Sequence, residues 1–116
     1  MNNDEILIVG AGVGGLTAGI ALEQSGFDVR VFERAESLRA EGAGISLFQN
    51  ALRCLDRLGL ADEVIDAGAE MLEGGVFDQN GRRIMDGSST AAAHASSFPM
   101  AVATHRTRLV DILADA

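Results

Sequence analysis

The sequence predicts an α/β fold that opens with a βαβ unit, and three consecutive segments support this prediction. Residues 5–10 form a continuous apolar run closed by glycine, which is typical of a strand buried on both faces of a parallel sheet. Residues 14–25 carry apolar side chains at helical spacing, and Gly26 follows where a helix C-cap is expected. Residues 28–33 alternate valine with arginine and predict a second strand, which a right-handed crossover joins to the first.

Beyond the βαβ unit the sequence predicts further helices and a β-hairpin. The predicted elements are an extended piece at 42–47, a helix at 50–60, another helical turn or two at 61–67, strands at 70–78, 82–86 and 100–104, and a helix at 106–114. The segment Gln79-Asn80-Gly81 joins the first two of these strands as a hairpin, because Asn and Gly both tolerate positive φ. The small and polar residues 87–97 predict a mobile loop.

Composition limits the classes of partner and compartment. A chain of 116 residues allows one domain, and its 47% of hydrophobic residues is enough for a packed core. The formal net charge is −8, and an acidic surface repels a phosphate backbone, so nucleic acid is not an expected partner. No apolar stretch is long enough to span a bilayer, and the single cysteine, Cys54, rules out an intrachain disulfide. We therefore expect a soluble, cytoplasmic protein.

Three glycines lie between the first predicted strand and helix with the G-x-G-x-x-G spacing of a dinucleotide-binding turn. Gly10 permits the tight turn, Gly12 leaves no side chain between the backbone and a pyrophosphate, and Gly15 lets the helix pack close to the sheet. The helix N-terminus offers free N–H groups to phosphates. Glu33, at the end of the second strand, can accept hydrogen bonds from ribose hydroxyls, and its charge disfavours the 2′-phosphate of NADP.

This motif alone does not distinguish FAD from NAD, so two classes of function remain open. The first class is an FAD-binding flavoprotein. The second is a non-catalytic dinucleotide-binding module or the NAD-binding domain of a dehydrogenase, which uses the same turn. An ordinary glycine-rich turn is disfavoured, because the strand, the glycines, the helix and the acidic residue all occur in the required order.

Sequence blocks beyond the glycine turn carry a more specific pattern. The first reads GAGVGGLTAGIALEQSG followed by VRVFERAE, the second reads GAGISLFQNALRCLDRLGL at 42–60, and the third reads HRTRLVDIL at 105–113. In these blocks the chain resembles the flavoprotein hydroxylase family, the aromatic-ring monooxygenases that include the salicylate and urate hydroxylases. The first block occurs in many dinucleotide-binding proteins. The other two are particular to this family and favour it over the NAD-binding alternative.

The resemblance implies a fold, a cofactor and a reaction. The fold is α/β, a Rossmann-like FAD-binding βαβ unit followed by a helix and a β-hairpin. Residues 1–116 would be the N-terminal part of an FAD-binding domain, with the dinucleotide-binding βαβ unit at 1–34 and the start of a substrate-side sheet at 70–104. The complete enzyme would use FAD, NAD(P)H and O2 to hydroxylate a small aromatic or heteroaromatic substrate. No catalytic residue is assigned.

The resemblance also implies roles at the adenosine-diphosphate half of FAD. The residues expected to hold the pyrophosphate are those of the glycine turn: Gly10, Ala11, Gly12, Val13, Gly14 and Gly15. Glu33 would bind the adenosine ribose, and Arg34 would lie along the adenine end.

Four further residues are expected along the rest of the cofactor. Arg39 would reach the flavin side, and Gly44 and Ile45 would run near the isoalloxazine. Arg106, in the arginine position of the HR-x-x-L pattern, would contact the middle of the cofactor, which suits a planar and permanently charged guanidinium. An alternative interpretation of Arg34 and Arg39 is that they are solvated charges in a loop without a role in binding.

The remaining polar candidates are interpreted without a functional role. His94 is expected to be exposed in its loop, His105 to be a strand-end residue, and Arg108 to point to solvent. Cys54 lies among leucines and is expected to be partly buried in the core, the commoner state of a free thiol. The sequence contains no metal-ligand spacing and no arrangement of nucleophile and base.

The parallel sheet is expected to be incomplete. In the family that the chain resembles, the third parallel strand would begin just past Ala116, which leaves two strands and an unpaired edge. We therefore expect the isolated chain to be marginally stable and inactive, and to retain FAD weakly or not at all. It is also expected to self-associate, by edge pairing or by swapping its C-terminal helix.

Overall fold

The predicted βαβ unit is present at the start of the chain. The computed structural model describes the chain in four ranges, which are 4–38, 42–71, 75–86 and 98–116. Strand β1 (Glu5–Val9) leads into helix α1 (Val13–Gln24), which returns the chain to strand β2 (Asp28–Phe32). The two strands pair in parallel, as the sequence predicts.

Helix α1 covers one face of the β1–β2 pair. The strand residues that alternate toward this face are Ile6, Ile8, Val29 and Val31. Gly19 of α1 is buried against them, since an added Cβ there would lie 3.4 Å from Val31 and 3.6 Å from Ile8. The opposite face carries Leu7 and Val9, which are 58% and 89% exposed. The prediction that both faces are buried is therefore wrong for the described residues, because α1 covers only one of them.

Glycine permits the geometry at both ends of α1. Before the helix, Gly10 has a φ of +103°, and an added Cβ on Gly15 would overlap the Gly10 carbonyl. After it, Gly26 takes a φ of +92° as the predicted C-cap signal requires. The Phe27 amide then donates to the Leu22 carbonyl at 3.1 Å, which closes the last turn.

The other elements form two antiparallel sheets with helices beside them. In chain order they are β3 (Gly44–Phe48), α2 (Gln49–Arg57), α3 (Ala61–Asp66), β4 (Ala69–Met71), β5 (Gly75–Phe77), β6 (Arg83–Asp86), β7 (Ala101–His105) and α4 (Arg106–Asp115). Strand β7 lies between β3 and β4, while β5 has β6 as its only partner within the described ranges. The predicted helices are confirmed as α2, α3 and α4. None of the helices in the described ranges is long and apolar enough to cross a membrane.

The single strand predicted at 70–78 is wrong, because this segment contributes to two different sheets. Glu70 of β4 lies opposite Val102 of β7, whereas Val76 of β5 lies opposite Met85 of β6. The partner of β4 is a strand about 30 residues away, and local alternation carries no information about such a distant pairing.

The hairpin predicted at Gln79-Asn80-Gly81 is confirmed, with a different turn geometry. Only Gly81 in this turn has a positive φ, of +79°. The Asp78 amide donates to the Arg82 carbonyl at 2.8 Å, so three residues connect the last hydrogen-bonded pair. Asp78 holds it, because its Oδ1 accepts hydrogen bonds from the amides of Asn80 at 2.9 Å and Arg82 at 2.8 Å. The loop predicted at 87–97 lies outside the described residues.

The core lies between the β3–β7–β4 sheet and the helices. Its most completely buried side chains are Leu52 of α2, Val64 of α3, Val102 of β7, and Leu109 and Leu113 of α4. Cys54 is exposed, so its predicted partial burial is wrong. Successive helical residues are rotated by about 100°, which turns position 54 away from the face that buries positions 52 and 55.

The close approach of α1 to the preceding turn predicts a difference between two adjacent glycines. Gly15→Ala should lower the free energy of unfolding by about 1–3 kcal/mol, because its Cβ must displace the Gly10 carbonyl. Gly14→Ala, whose Cβ meets no atom within 4 Å, is the control and should change stability by less than about 1 kcal/mol. Urea unfolding of both variants measures the difference, and equal effects would contradict the packing described here.

Candidate functional site

A pocket of about 360 Å³ lies at the carboxyl ends of β1 and β2. Its walls come from the turn before α1, the segment after β2, strand β3 and the start of α4. The lining residues are Ala11, Gly12, Val13, Glu33, Ala35, Ser37, Leu38, Ile45, Arg106 and Val110. The first two walls meet because parallel strands bring their carboxyl ends to the same edge of the sheet.

The glycine turn presents its backbone to this pocket. An added Cβ on Gly12 would meet no atom within 4 Å, so the space beside this residue is open. The first intrahelical hydrogen bond of α1 runs from the Leu16 amide to the Gly12 carbonyl at 3.0 Å. The amides of residues 13–15 precede that bond, and the positive end of the helix dipole is therefore directed at the pocket.

Glu33 lies on the wall formed by the segment after β2. Its Oε2 accepts a hydrogen bond from the Ala11 amide at 2.9 Å, and its Oε1 accepts one from the Ala35 amide at 3.2 Å. These backbone bonds, that of Ala11 first, hold the pKa of the Glu33 carboxyl below its usual range. The group is therefore a carboxylate at neutral pH.

Arg106 places a permanent positive charge at the start of α4. Its guanidinium lies over Gly42, where an added Cβ would be 3.3 Å from Nη1. Its amide points to the Ala43 carbonyl at 3.4 Å, and the β3–β7 pairing aligns Gly44 with His105. The second and third sequence blocks, about 60 residues apart, therefore meet at one wall of the pocket.

Comparisons with known proteins agree with this geometry. The family model of the FAD binding domain matches residues 3–116. The chain belongs to this family. A similar protein is the aurachin C monooxygenase/isomerase of Stigmatella aurantiaca, 39% identical over 108 residues, which are 93% of this chain and 28% of that protein. An FAD-dependent urate hydroxylase of Mycolicibacterium vanbaalenii is 43% identical over 67 residues, or 58% of this chain and 17% of that protein.

Solved structures give the same assignment. A tetrameric 2-methyl-3-hydroxypyridine-5-carboxylic acid oxygenase matches with a TM-score of 0.81 and 33% identity, covering 99% of this chain and 29% of that one. Klebsiella pneumoniae HpxO complexed with FAD and uric acid matches with a TM-score of 0.79 and 26% identity, covering 96% and 28%. The chain thus spans less than a third of these proteins. FAD is the cofactor of the family, as the resemblance implied, and the NAD-binding alternative gains no support.

The pocket of this FAD binding domain has features that fit a dinucleotide. The open space at Gly12 allows a phosphate to approach the backbone, and the N-terminus of α1 supplies donors there. Arg106 adds a positive charge from another wall. The carboxylate of Glu33 keeps acceptor capacity beyond the backbone bonds from Ala11 and Ala35, which is what a ribose diol requires.

The predicted site residues fall into distinct groups. The structure brings six of them together in the pocket: Ala11, Gly12, Val13, Glu33, Ile45 and Arg106. Gly10 and Gly15 shape the turn, Gly14 is exposed on α1, and Gly44 lies beside His105 in a separate depression. Arg34 is exposed outside the pocket lining, and Arg39 lies outside the described residues.

Four lining residues were missed by the sequence analysis: Ala35, Ser37, Leu38 and Val110. The sequence could have predicted Val110, because it follows Arg106 by four positions and so lies on the same face of the helix. The other three lie in an irregular segment without periodicity. Within the described ranges no cluster of three or more His, Cys, Asp or Glu side chains is placed to hold a metal ion.

The open space at Gly12 predicts that a side chain there blocks the cofactor and spares the fold. Gly12→Val should abolish measurable FAD binding, because its side chain would occupy the approach of the pyrophosphate. Its thermal midpoint should stay near that of the parent, since the Cβ meets no neighbour within 4 Å. Isothermal titration of the full-length protein with FAD and a melting curve test both points.

The control for this variant is Ala69→Val, which adds comparable bulk on an exposed strand outside the pocket. It should bind FAD as the parent does. Unchanged FAD affinity in Gly12→Val would show that the pyrophosphate lies elsewhere.

Proposed function

We propose that the protein carrying this chain is an FAD-dependent monooxygenase that uses NAD(P)H and O2 to hydroxylate an aromatic or heteroaromatic ring. The observation that carries the proposal is the 39% identity to a monooxygenase over 93% of the chain. The other similar proteins are named as hydroxylases and oxygenases of urate and of a hydroxypyridine carboxylic acid. They favour a small planar heteroaromatic substrate.

The residues of the pocket bind and orient the cofactor in this proposal. The amides at the start of α1 and the open side of Gly12 receive the pyrophosphate, and Glu33 accepts from the adenosine ribose. Arg106 neutralises charge near the middle of the cofactor, and Ile45 contacts the flavin side. Bound FAD supplies the two-electron redox chemistry, which no protein side chain provides.

We also propose a role for the β3–β7–β4 sheet. We assign residues 70–104 to the start of a substrate-side sheet, because β4 and β7 continue from β3, whose Ile45 lines the pocket. No described residue is assigned as a catalytic acid or base. The described titratable groups other than Glu33 show no geometry that selects one of them.

The chain is also proposed to self-associate and to reside in the cytoplasm. The support for self-association is the uncovered face of the β1–β2 pair, where Val9 is 89% exposed and Phe32 46% exposed. Sedimentation velocity over a concentration series tests it. The single cysteine and its exposure fit a reducing compartment.

The decisive experiment on function combines bound cofactor with turnover. The full-length protein that carries this chain should be yellow when purified, release FAD on denaturation, and consume NAD(P)H faster in the presence of hydroxylated aromatic acids, phenols or purines. Saturable NAD binding without flavin affinity would instead support a dehydrogenase domain. FAD binding without stimulated NAD(P)H consumption over the whole panel would contradict the monooxygenase assignment.

The role of Arg106 predicts a contrast with its neighbour on the same helix. Arg106→Ala should weaken FAD binding by roughly tenfold or more, because a charge-assisted contact is lost. Arg108→Ala removes the same charge two positions along, at a residue outside the pocket lining, and should change the affinity less than about twofold. Titrations at matched ionic strength separate the two effects. Equal losses would assign the effect to net charge and not to a contact.

A further inference from the structure

Glu33 holds two walls of the pocket at the same time. Its two carboxylate oxygens accept from different segments, Oε2 from Ala11 in the turn before α1 and Oε1 from Ala35 in the segment after β2. The first bond joins residues 22 positions apart. A ribose acceptor needs neither bond, so the function assigned so far does not account for them.

These bonds continue the β1–β2 pairing beyond its backbone ladder. The last paired residues are Val9 and Phe32, and the Gly10 amide still donates to the Phe32 carbonyl at 2.7 Å. One residue later the Ala11 amide has the Glu33 side chain as its acceptor, at 2.9 Å. Ala11 is only 7% exposed, so the bond also satisfies a donor with little access to water.

The position of Ala11 gives this bond control over the shape of the turn. Ala11 lies between Gly10, whose φ is +103°, and Gly12, beside which the space is open. Both neighbours are glycines, which cost little to rotate, and the turn has no side chain of its own to hold it. Ala35 begins the opposite wall, which also includes Ser37 and Leu38.

We propose that Glu33 is a positioning residue that fixes the glycine turn and the wall at 35–38 in the ligand-free chain, so that the pocket is preformed before FAD binds. This inference rests on the proposed FAD site and adds a second role to Glu33. Such preorganisation raises affinity by lowering the ordering cost of binding.

Only the carboxylate form accepts strongly at both oxygens, because protonation turns one of them into a hydroxyl that donates and is a weaker acceptor. The charged group that acts on it is Arg34, next in sequence, and Arg106 lines the same pocket. Because the pKa of Glu33 is lowered, the two bonds persist to a lower pH than those of an ordinary glutamate would. The two hydrogen bonds, together called the brace, are complete above the ordinary pKa range of a glutamate and are lost only as pH falls through the lowered pKa of Glu33.

Amide resonances of the ligand-free chain test this without any cofactor. The amide protons of Ala11 and Ala35 should shift together in an acid titration with one shared midpoint, below that of an ordinary glutamate. At neutral pH Glu33→Gln should move both resonances, because a side-chain amide keeps only one acceptor oxygen. Glu36→Gln, which removes an exposed carboxylate in the same segment, should leave both resonances in place.

Binding measurements then separate the brace from the proposed function. Glu33→Gln should weaken binding of FAD and also of pyrophosphate, which has no ribose, by roughly tenfold. Separate midpoints for the two amides, or a loss confined to FAD with unmoved resonances, would overturn the brace and leave Glu33 as a ribose ligand. Coupled amides in the chain, together with a full-length protein that does not bind FAD, would contradict the proposed function alone. The titration uses the parent chain, so it decides the point even where Glu33→Gln fails to fold.

Discussion

Helix α1 begins against the Gly10 carbonyl, and the pocket depends on this contact. Because Gly15 has no side chain, the helix comes close enough for its first amides to face the space beyond β1. The same closeness lets Gly19 pack on Val31 and keeps the helix over one face of the strand pair. A helix held one methyl group further away would lose the turn geometry that places Gly12 at the open side of the pocket.

The other half of the pocket depends on a pairing between distant segments. Strand β3 aligns with β7, so Gly44 lies opposite His105 and the next residue, Arg106, reaches the space over Gly42. A glycine at 42 permits this, because its φ of +118° and the guanidinium above it leave little room for a side chain. The acidic wall at Glu33 and the basic wall at Arg106 are thus built by independent sheets that meet at the start of α1 and α4.

Local sequence patterns predicted much of this fold, and the rest depends on contacts between segments that are distant in the sequence. The βαβ unit, the glycine after α1 and the hairpin at Gly81 follow from spacing and turn chemistry within a few residues. The division of 70–78 between two sheets does not, because β4 depends on β7, about 30 residues away. Apolar content at Leu7 and Val9 predicts burial without specifying a covering element. The glycine motif identified Gly12 and Glu33, but hydrogen bonding of Glu33 to Ala11 depends on side-chain geometry that a sequence pattern does not contain.

The electrostatics of the site follow from local geometry and not from net charge. The chain carries a formal charge of −8, which at long range opposes an anionic cofactor. A free carboxylate beside the phosphates would add to that opposition. Glu33 is not free, because two backbone amides point at its oxygens and offset part of its charge while they fix its orientation. The same bonds that hold the glycine turn therefore let the acid proposed to bind the ribose lie next to the helix proposed to bind the pyrophosphate.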